Sequence, residues 1–156
     1  MRWLGIDLGD VRIGLSISDE LGAFAHPYRT IQNGKSVVSE IQEIVAREKI
    51  GGIVLGLPKN MDGTLGPAAA KAQDLSRRLS SAIADCKVIL WDERLTTVEA
   101  QRVLHGAGKN IKQSRKFIDQ VAAQILLQNF LDSLQLSSEF EVPSSEFDRK
   151  YNPGER

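Results

Sequence analysis

The chain opens with two apolar stretches that a polar turn separates. Residues 3–8 and 11–18 alternate or run apolar, and Gly9-Asp10 lies between them, which predicts a β-hairpin. A third strand is predicted over residues 23–31. We therefore expect the first part of the chain to form an antiparallel meander of three strands.

Helix and strand patterns alternate after this meander. Apolar residues recur at helical spacing over residues 36–49, and Gly51-Gly52 is predicted to end that helix. The continuous apolar run over residues 53–57 is typical of a strand that is buried on both faces. The remaining predicted elements are a helix that begins at Pro67 and carries an apolar face of Ala68, Ala72, Leu75, Leu79 and Ile83, a strand over residues 87–91, and helices over residues 96–105 and 115–134.

This order of elements predicts an α/β fold with one mixed five-stranded sheet, in which three antiparallel strands are followed by two parallel strands and helices cover both faces. Right-handed crossover connections place the two later strands parallel to the first. Ligands of such sheets bind at the carboxyl ends of the parallel strands, which here are Asp7-Leu8, Leu57-Pro58 and Asp92-Glu93. We expect residues 1–136 to form this single domain and residues 137–156, which show little periodicity, to form a flexible tail.

The composition is that of an ordinary globular protein, with 42% hydrophobic and 26% charged residues. No apolar run is long enough to span a membrane, and a strand that begins near residue 2 leaves no room for a signal peptide. Cys86 is the only cysteine, which excludes a disulfide framework and a thiolate zinc site. We therefore expect a cytoplasmic protein with no membrane partner.

Asp7 is the most informative residue, because a carboxylate inside an apolar strand is costly to bury unless it is paired or bound to a cation. Glycines at positions 5 and 9 leave room beside it for another backbone or a phosphate. Asp92 and Glu93 directly follow the last predicted strand. Neighbouring strand residues point to opposite faces, so at most one of the two acids can readily aim at Asp7. Glu93 has the longer reach and is preferred, with Asp92 as the alternative.

Asp119 is the third candidate acid, on the core-facing stripe of the last predicted helix beside small alanines. Each acid also has a purely structural explanation. Asp7 could cap the turn, Glu93 could be a surface partner of Arg94, and Asp119 could be an acid that the helix dipole favours. Together, however, the three acids converge at the predicted strand ends and on the neighbouring helix, which indicates a site.

Carboxylates gathered this closely resist ionising together, so a divalent cation is the natural compensation. Oxygen ligands without cysteine favour Mg²⁺ or Mn²⁺ over zinc. Carboxylate clusters can hold two such ions about 3.5–4 Å apart, which activate water and stabilise the leaving oxygen of a phosphodiester. The sequence therefore predicts a metal-dependent site for phosphodiester chemistry. Gly56, Gly63 and Gly66 could let a substrate backbone approach, although packing and turn geometry would explain them as well.

Twenty basic and twenty acidic residues balance over the whole chain, but residues 139–156 hold five acids against three bases. The rest of the chain is therefore slightly basic, with a local patch between Lys109 and Lys116. The candidates for contact with the phosphates of a nucleic-acid partner are Arg12, Lys59, Arg94, Lys112, Arg115 and Lys116. For each of them taken singly, a solvated surface charge is the alternative explanation.

Four motifs follow one another along most of residues 1–130. They are Gly5-Ile6-Asp7-Leu8-Gly9 with Arg12-Ile13-Gly14, Gly56-Leu57-Pro58-Lys59-Asn60-Met61-Asp62-Gly63, Asp92-Glu93-Arg94-Leu95-Thr96-Thr97, and Asp119-Gln120-Val121-Ala122-Ala123-Gln124-Ile125-Leu126-Leu127-Gln128. In this order they resemble the YqgF/RuvX family, bacterial proteins with an RNase H-like fold that are described as pre-16S rRNA nucleases and as Holliday-junction-resolvase-like. Any one motif alone would be a weak sign, whereas four in order are a strong one.

The resemblance implies an RNase H-like sheet in which Asp7, Glu93 and Asp119 are the catalytic acids and hold two Mg²⁺ or Mn²⁺ ions. It also implies trimming of the 5′ end of precursor 16S ribosomal RNA. Because end trimming needs one active site and junction resolution a symmetric pair, the expected partner state is a monomer or a homodimer. Related junction resolvases tend to carry two acids on the last helix, whereas Gln120, Ala122 and Ala123 leave Asp119 alone here. A Holliday-junction-resolving DNA endonuclease is therefore the alternative function.

Two further classes of protein fit part of the pattern. Actin-like ATPases and sugar kinases also open with a Gly-Ile-Asp-Leu-Gly hairpin, but they need two lobes, and 156 residues suffice for only one. The other class is a non-catalytic nucleic-acid-binding or ribosome-assembly module. The acidic constellation disfavours it, because carboxylates without a metal repel phosphate.

Overall fold

The computed structural model describes residues 1–93 and 115–140. Its elements are β1 (Arg2–Leu8), β2 (Arg12–Ser18), β3 (Ala25–Gln32), α1 (Val37–Arg47), β4 (Ile50–Leu57), α2 (Pro67–Ala82), β5 (Lys87–Asp92) and α3 (Arg115–Phe140). The helix predicted over residues 96–105 lies outside the described residues, as does the predicted tail beyond residue 140. Within the two described ranges, no helix is both long and apolar enough to cross a membrane.

The five strands form one mixed sheet in the order β3-β2-β1-β4-β5. β1 pairs antiparallel with β2, and β2 pairs antiparallel with β3. β4 lies parallel to β1, and β5 lies parallel to β4. The predicted fold class, three antiparallel strands followed by two parallel strands, is therefore confirmed.

Helices cover both faces of the sheet, and the alternation of strand residues assigns each side chain to one face. On one face, α1 and α2 pack on a core that includes Leu4, Ile6 and Leu55. On the other face, α3 packs on a smaller cluster that includes Trp3 and Val54. Each fully buried aliphatic side chain contributes about 1.5–3 kcal/mol. Odd-numbered residues of β1, among them Asp7, consequently face α3.

The long helix α3 lies close against the hairpin because the strands beneath it carry very small residues. A β-carbon at Gly5 would lie 2.8 Å from the Leu127 Cβ and 3.0 Å from the Ala123 carbonyl oxygen. The fully buried Ser16, the cross-strand partner of Gly5, donates a hydrogen bond of 2.7 Å from its Oγ to that same carbonyl. The room that was predicted beside Asp7 at Gly5 is thus filled by the backbone of α3.

Several boundaries differ from those predicted. α1 ends at Arg47, and the chain turns through Lys49, which has a left-handed φ of 54°, so that Gly51 and Gly52 belong to β4 rather than to a helix end. In α2, Ala69 is buried and the predicted Ala68 is exposed, since the helix turns slightly further towards the sheet than the apolar spacing suggests. α3 continues six residues past its predicted end, to Phe140.

Candidate active site

Asp7 lies near the carboxyl end of β1, on the face that α3 covers. Its cross-strand partner in β2 is Gly14. A β-carbon at Gly14 would collide with the backbone carbonyl of Asp119 and would lie 3.0 Å from the Asp119 Cβ. Because glycine has no side chain, Gly14 allows the start of α3 to pack beside Asp7. This brings a second acid to what we call the corner, the carboxyl end of the central strand β1 with the start of α3 beside it.

Glu93 reaches the same corner from β5, on the opposite side of β1 from β2. The odd-numbered residues of β5, Ile89 and Trp91, pack in the α3 cluster, whereas Val88 and Leu90 pack in the opposite one. Glu93 comes directly after β5 and continues the odd-numbered series, and its carboxyl group lies over β4. A β-carbon at Gly56 would collide with the Glu93 Oε1 and would lie 3.0 Å from its Cδ. The missing side chain at Gly56 thus makes the space in which Glu93 approaches Asp7.

The carboxyl groups of Asp7 and Glu93 are hydrogen-bonded to each other. Burial raises the pKa of Asp7 to about 6, the charge of Asp119 adds to the rise, and the hydrogen bond with Glu93 opposes it. Burial also raises the pKa of Glu93 to about 7, with the neighbouring Asp7 and Asp92 adding to the rise. Near neutral pH the pair therefore holds a proton, with Glu93 as the donor and the Asp7 carboxylate as the acceptor.

Asp119 is near this pair but is engaged elsewhere. Its Oδ2 accepts a hydrogen bond of 3.0 Å from the Nε of Arg12, and the two side chains form a half-buried ion pair. Arg12 begins β2 and therefore lies at the same edge of the sheet as Asp7. Of the three predicted acids, the structure joins Asp7 and Glu93 directly and ties Asp119 to Arg12.

The fit of a metal ion can be judged from these donors. Within residues 1–93 and 115–140, no group of three or more His, Cys, Asp or Glu side chains is close enough to hold an ion. The Asp7–Glu93 pair nevertheless offers hard oxygen ligands of the kind that Mg²⁺ and Mn²⁺ prefer. A cation there would replace the proton that the pair shares, because it relieves the same repulsion between buried like charges. The chemistry of the pair therefore fits a divalent ion, and Asp119 lies beside the pair in its ion pair with Arg12.

The remaining predicted residues lie apart from the acid pair or outside the described residues. Asp92 faces away from the acid pair and lies 3.7 Å, measured from its Oδ2, from the Nζ of Lys59. Lys116 is exposed in the first turn of α3, where its backbone carbonyl accepts a hydrogen bond from the Thr30 hydroxyl. Arg94, Lys112 and the side chain of Arg115 lie outside the described residues.

Comparison with protein families matches residues 1–133 to a family described as "RuvX: Holliday junction resolvase". The match spans most of the chain and includes Asp7, Glu93 and Asp119.

The chain belongs to the RuvX family.

Bacterial relatives agree with this assignment. A protein of Thermoanaerobacter pseudethanolicus named "Putative pre-16S rRNA nuclease" is 46% identical over 136 residues, which are 85% of this chain and 97% of the relative. A protein of the same name from Geobacillus sp. is 42% identical and covers 86% of this chain and 100% of the relative. A third, from Pelagibacter ubique, is 43% identical and covers 86% and 89%, respectively.

Solved structures share the fold of this RuvX-family chain. Thermus thermophilus RuvC in complex with a Holliday junction substrate aligns with a TM-score of 0.57 and 14% identity, over 88% of this chain and 97% of that one. The resolvase of fowlpox virus in complex with Holliday junction DNA aligns with a TM-score of 0.55 and 13% identity, over 86% and 99%. At these identities the likeness concerns the architecture alone.

A cavity of about 510 Å³ lies on the other face of the RuvX sheet, and the acids of the candidate site do not line it. Its walls include Leu8 of β1, Val37 of α1 and Lys71 of α2. Because Leu8 and Asp7 are adjacent strand residues, they point to opposite faces. The candidate active site accordingly lies at the carboxyl end of the central strand β1, and this cavity is separate from it.

The sequence does not show how two glycines shape this site. Gly14 belongs to a motif without a role of its own, and Gly56 is explained equally by room for a substrate backbone or by packing, whereas in the structure it makes room for Glu93. A usable signal was present, because pairing across the predicted hairpin sets Asp7 opposite Gly14. The ion pair between Arg12 and Asp119, which are 107 positions apart, had no comparable signal.

Proposed function

We propose that this protein is a metal-dependent nuclease that hydrolyses phosphodiester bonds and trims the 5′ end of precursor 16S ribosomal RNA. The observation that carries the proposal is the hydrogen-bonded pair of Asp7 and Glu93 beside Asp119, at the carboxyl edge of the parallel strands. The names of the 40–46% identical relatives support ribosomal precursor RNA as the substrate. A cytoplasmic location, in which such RNA is made in bacteria, belongs to the same proposal.

Asp7 and Glu93 would hold Mg²⁺ or Mn²⁺, with Asp119 as a third ligand. When bound, such ions supply an activated water molecule and stabilise the charge on the leaving oxygen. The fold would hold the carboxylates of Asp7 and Glu93 in contact at a half-buried place, where electrostatic interactions are stronger than in water. Arg12 and the exposed Lys116 lie at the same corner and would contact the phosphates of the substrate.

A four-way DNA junction is the second candidate substrate, because the family is described as a Holliday junction resolvase. A resolvase would need two symmetric active sites and hence a dimer. Over residues 115–123 the only acid is Asp119, which favours the simpler nuclease. A binding module without turnover is the third possibility.

The experiment compares cleavage of a 5′-labelled precursor 16S RNA fragment with cleavage of a four-way DNA junction, in Mg²⁺ or Mn²⁺ and after chelation. The variants are Asp7→Asn and Glu93→Gln, with Asp85→Asn as the matched control, because Asp85 is an exposed acid at the opposite edge of the sheet. We expect the RNA to be cut, chelation to stop the reaction, and each site variant to lose about 100-fold or more in rate. The control should cut normally.

Each of the other outcomes would contradict one part of the proposal: the site, the substrate or the catalytic activity. Cleavage by Asp7→Asn at the wild-type rate would show that Asp7 is not part of the site. Faster cleavage of the DNA junction than of the RNA would favour the resolvase. Tight binding of the RNA without any cleavage would favour the non-catalytic module.

A further inference from the structure

The ion pair of Arg12 and Asp119 joins two residues for which the proposed function has other uses. Arg12 is a candidate for contact with a substrate phosphate, and Asp119 is the candidate third metal ligand. In the structure each satisfies the other, at 3.0 Å between Nε and Oδ2. Their side chains are 29% and 28% exposed, so solvent and ligands can reach both.

The pair keeps Asp119 out of the acid cluster. The charge of Asp119 is felt at Asp7, which shows that the two carboxylates are within electrostatic reach. Yet no three acids of the described residues lie close enough together to hold an ion. Asp119 as it is held by Arg12 therefore stands beside the metal-binding pair, not within it.

A substrate phosphate competes directly for Arg12. The guanidinium group has five N–H donors, and its planar fork matches phosphate oxygens as well as carboxylate oxygens. Asp119 occupies the Nε donor of Arg12, so a phosphate that takes this donor in a two-point contact would displace the carboxylate and leave it without its neutralising cation. A metal ion held by Asp7 and Glu93 would be a positive charge within electrostatic reach of that carboxylate.

We propose that Arg12 is a positioning residue that exchanges its partner, releasing Asp119 to the metal site when it takes up a substrate phosphate. The inference rests on the proposed nuclease function. It makes the acid site complete only in the presence of nucleic acid, so nucleic acid and metal ion bind cooperatively, and each raises the affinity for the other by the same factor.

A double-mutant cycle separates this exchange from simple charge effects. The variants are Arg12→Gln, Asp119→Asn and the double variant, and the probe is a fluorescein-labelled RNA hairpin whose Kd is measured by anisotropy without divalent ions. If Asp119 competes for Arg12, then Asp119→Asn tightens RNA binding about fivefold or more in the wild-type background. In the Arg12→Gln background it tightens binding less than about twofold, because only the general loss of a negative charge remains.

The reciprocal measurement uses Mn²⁺ alone, with its binding to the free protein followed by electron paramagnetic resonance. Arg12→Gln should strengthen Mn²⁺ binding in the wild-type background and have little effect in the Asp119→Asn background. Arg2→Gln is the matched control, because Arg2 forms an ion pair of similar exposure, 26% and 28%, with Glu48 at the opposite end of β1. Arg2→Gln should leave the affinity for Mn²⁺ unchanged, and Asp119→Asn should tighten RNA binding as much in the Arg2→Gln background as in the wild-type background. Should Arg12→Gln fail to fold, Arg12→Met, which keeps an apolar stem of similar length and removes the guanidinium group, takes its place.

Two results would overturn the exchange. Additive effects of the two substitutions would show that Asp119 and RNA do not compete for Arg12. If the wild-type protein still cleaves RNA with metal, the nuclease proposal would remain valid. Absence of both Mn²⁺ binding and RNA cleavage in the wild-type protein would remove the proposed function and the exchange together. Non-additive effects in both cycles would support the exchange.

Discussion

In the folded protein, the carboxyl group of Glu93 occupies the space that a side chain at Gly56 would fill. A β-carbon at Gly56 would lie 3.0 Å from the Cδ of Glu93 and 3.1 Å from its Cγ. These distances are closer than ordinary van der Waals contact, and the atoms concerned are at the far end of a flexible side chain. A substitution at Gly56 would therefore displace Glu93 from Asp7 without forcing the backbone to move.

This geometry predicts that Gly56→Ala retains the fold and loses activity. A misplacement of about 1 Å at a reacting group costs on the order of 100-fold in rate, and we expect a fall in kcat of about that size. The free energy of unfolding should be unchanged or slightly higher, because alanine in a strand interior has less conformational entropy to lose than glycine. Circular dichroism and cleavage kinetics measure the two effects.

Gly34→Ala is the control for this prediction, since a β-carbon at Gly34 meets no atom within 4 Å. It should cleave the substrate at the wild-type rate. Full activity of Gly56→Ala would mean that the position of Glu93 over β4 has no part in the reaction.

The acid pair predicts a particular dependence of stability on pH. The folded-state pKa values of Asp7 and Glu93, about 6 and about 7, lie above the ordinary values of 3.8 and 4.5. The folded protein therefore binds more protons than the unfolded chain between about pH 4 and pH 7, and the contribution of the pair to stability falls as pH rises through that window. Glu93→Gln keeps a hydrogen-bond donor and removes one charge, so it should be more stable than the wild-type protein by about 1–3 kcal/mol at pH 8.

Urea denaturation without divalent ions at pH 5 and pH 8 tests this expectation. The difference between Glu93→Gln and the wild-type protein should be small at pH 5 and larger at pH 8. Asp85→Asn should show no such change with pH. A constant difference at both pH values would mean that Glu93 and Asp7 do not share a proton.

The proposed metal site predicts that Mn²⁺ stabilises the protein. An ion that binds only the folded state adds about 2.7 kcal/mol when its concentration is 100 times its Kd. The Tm of the wild-type protein at pH 8 should therefore rise with Mn²⁺ concentration. Differential scanning fluorimetry on Asp7→Asn should show a much smaller rise, and an equal rise in both proteins would place the ion elsewhere.

The buried hydrogen bond from Ser16 to Ala123 predicts a structural effect on α3. Ser16→Ala removes the donor, and the expected loss is about 1 kcal/mol of unfolding free energy. Ser39→Ala is the matched control, because the Oγ of Ser39 donates to the backbone carbonyl of Ser36 at an exposed position. Chemical denaturation of both variants measures the difference, and equal stability of the two would show that the bond of Ser16 does not anchor the helix.

Much of the site follows from local pattern. Asp7 stands out because an acid interrupts an apolar strand, and the choice of Glu93 over Asp92 depends only on strand alternation and reach. The structure puts Glu93 in contact with Asp7 and places Asp92 3.7 Å from Lys59, and the role of Glu93 in binding a metal stays a prediction. The helix end was predicted less well: Gly51-Gly52 looks like a stop signal, but the chain turns earlier, at Lys49, whose left-handed φ is unusual for a residue that is not glycine.

The amino-acid sequence by itself determined the order of the elements, the mixed sheet and the acids at its carboxyl edge, because periodicity, turn residues and strand alternation act over a few neighbouring positions. Only the tertiary structure decided which groups touch. The approach of α3 over Gly14, the place of Glu93 over Gly56 and the pairing of Arg12 with Asp119 join positions far apart in the chain. Hairpin pairing sets Gly14 opposite Asp7, but local spacing does not say which distant element lies over it, because such contacts depend on how whole helices and strands pack.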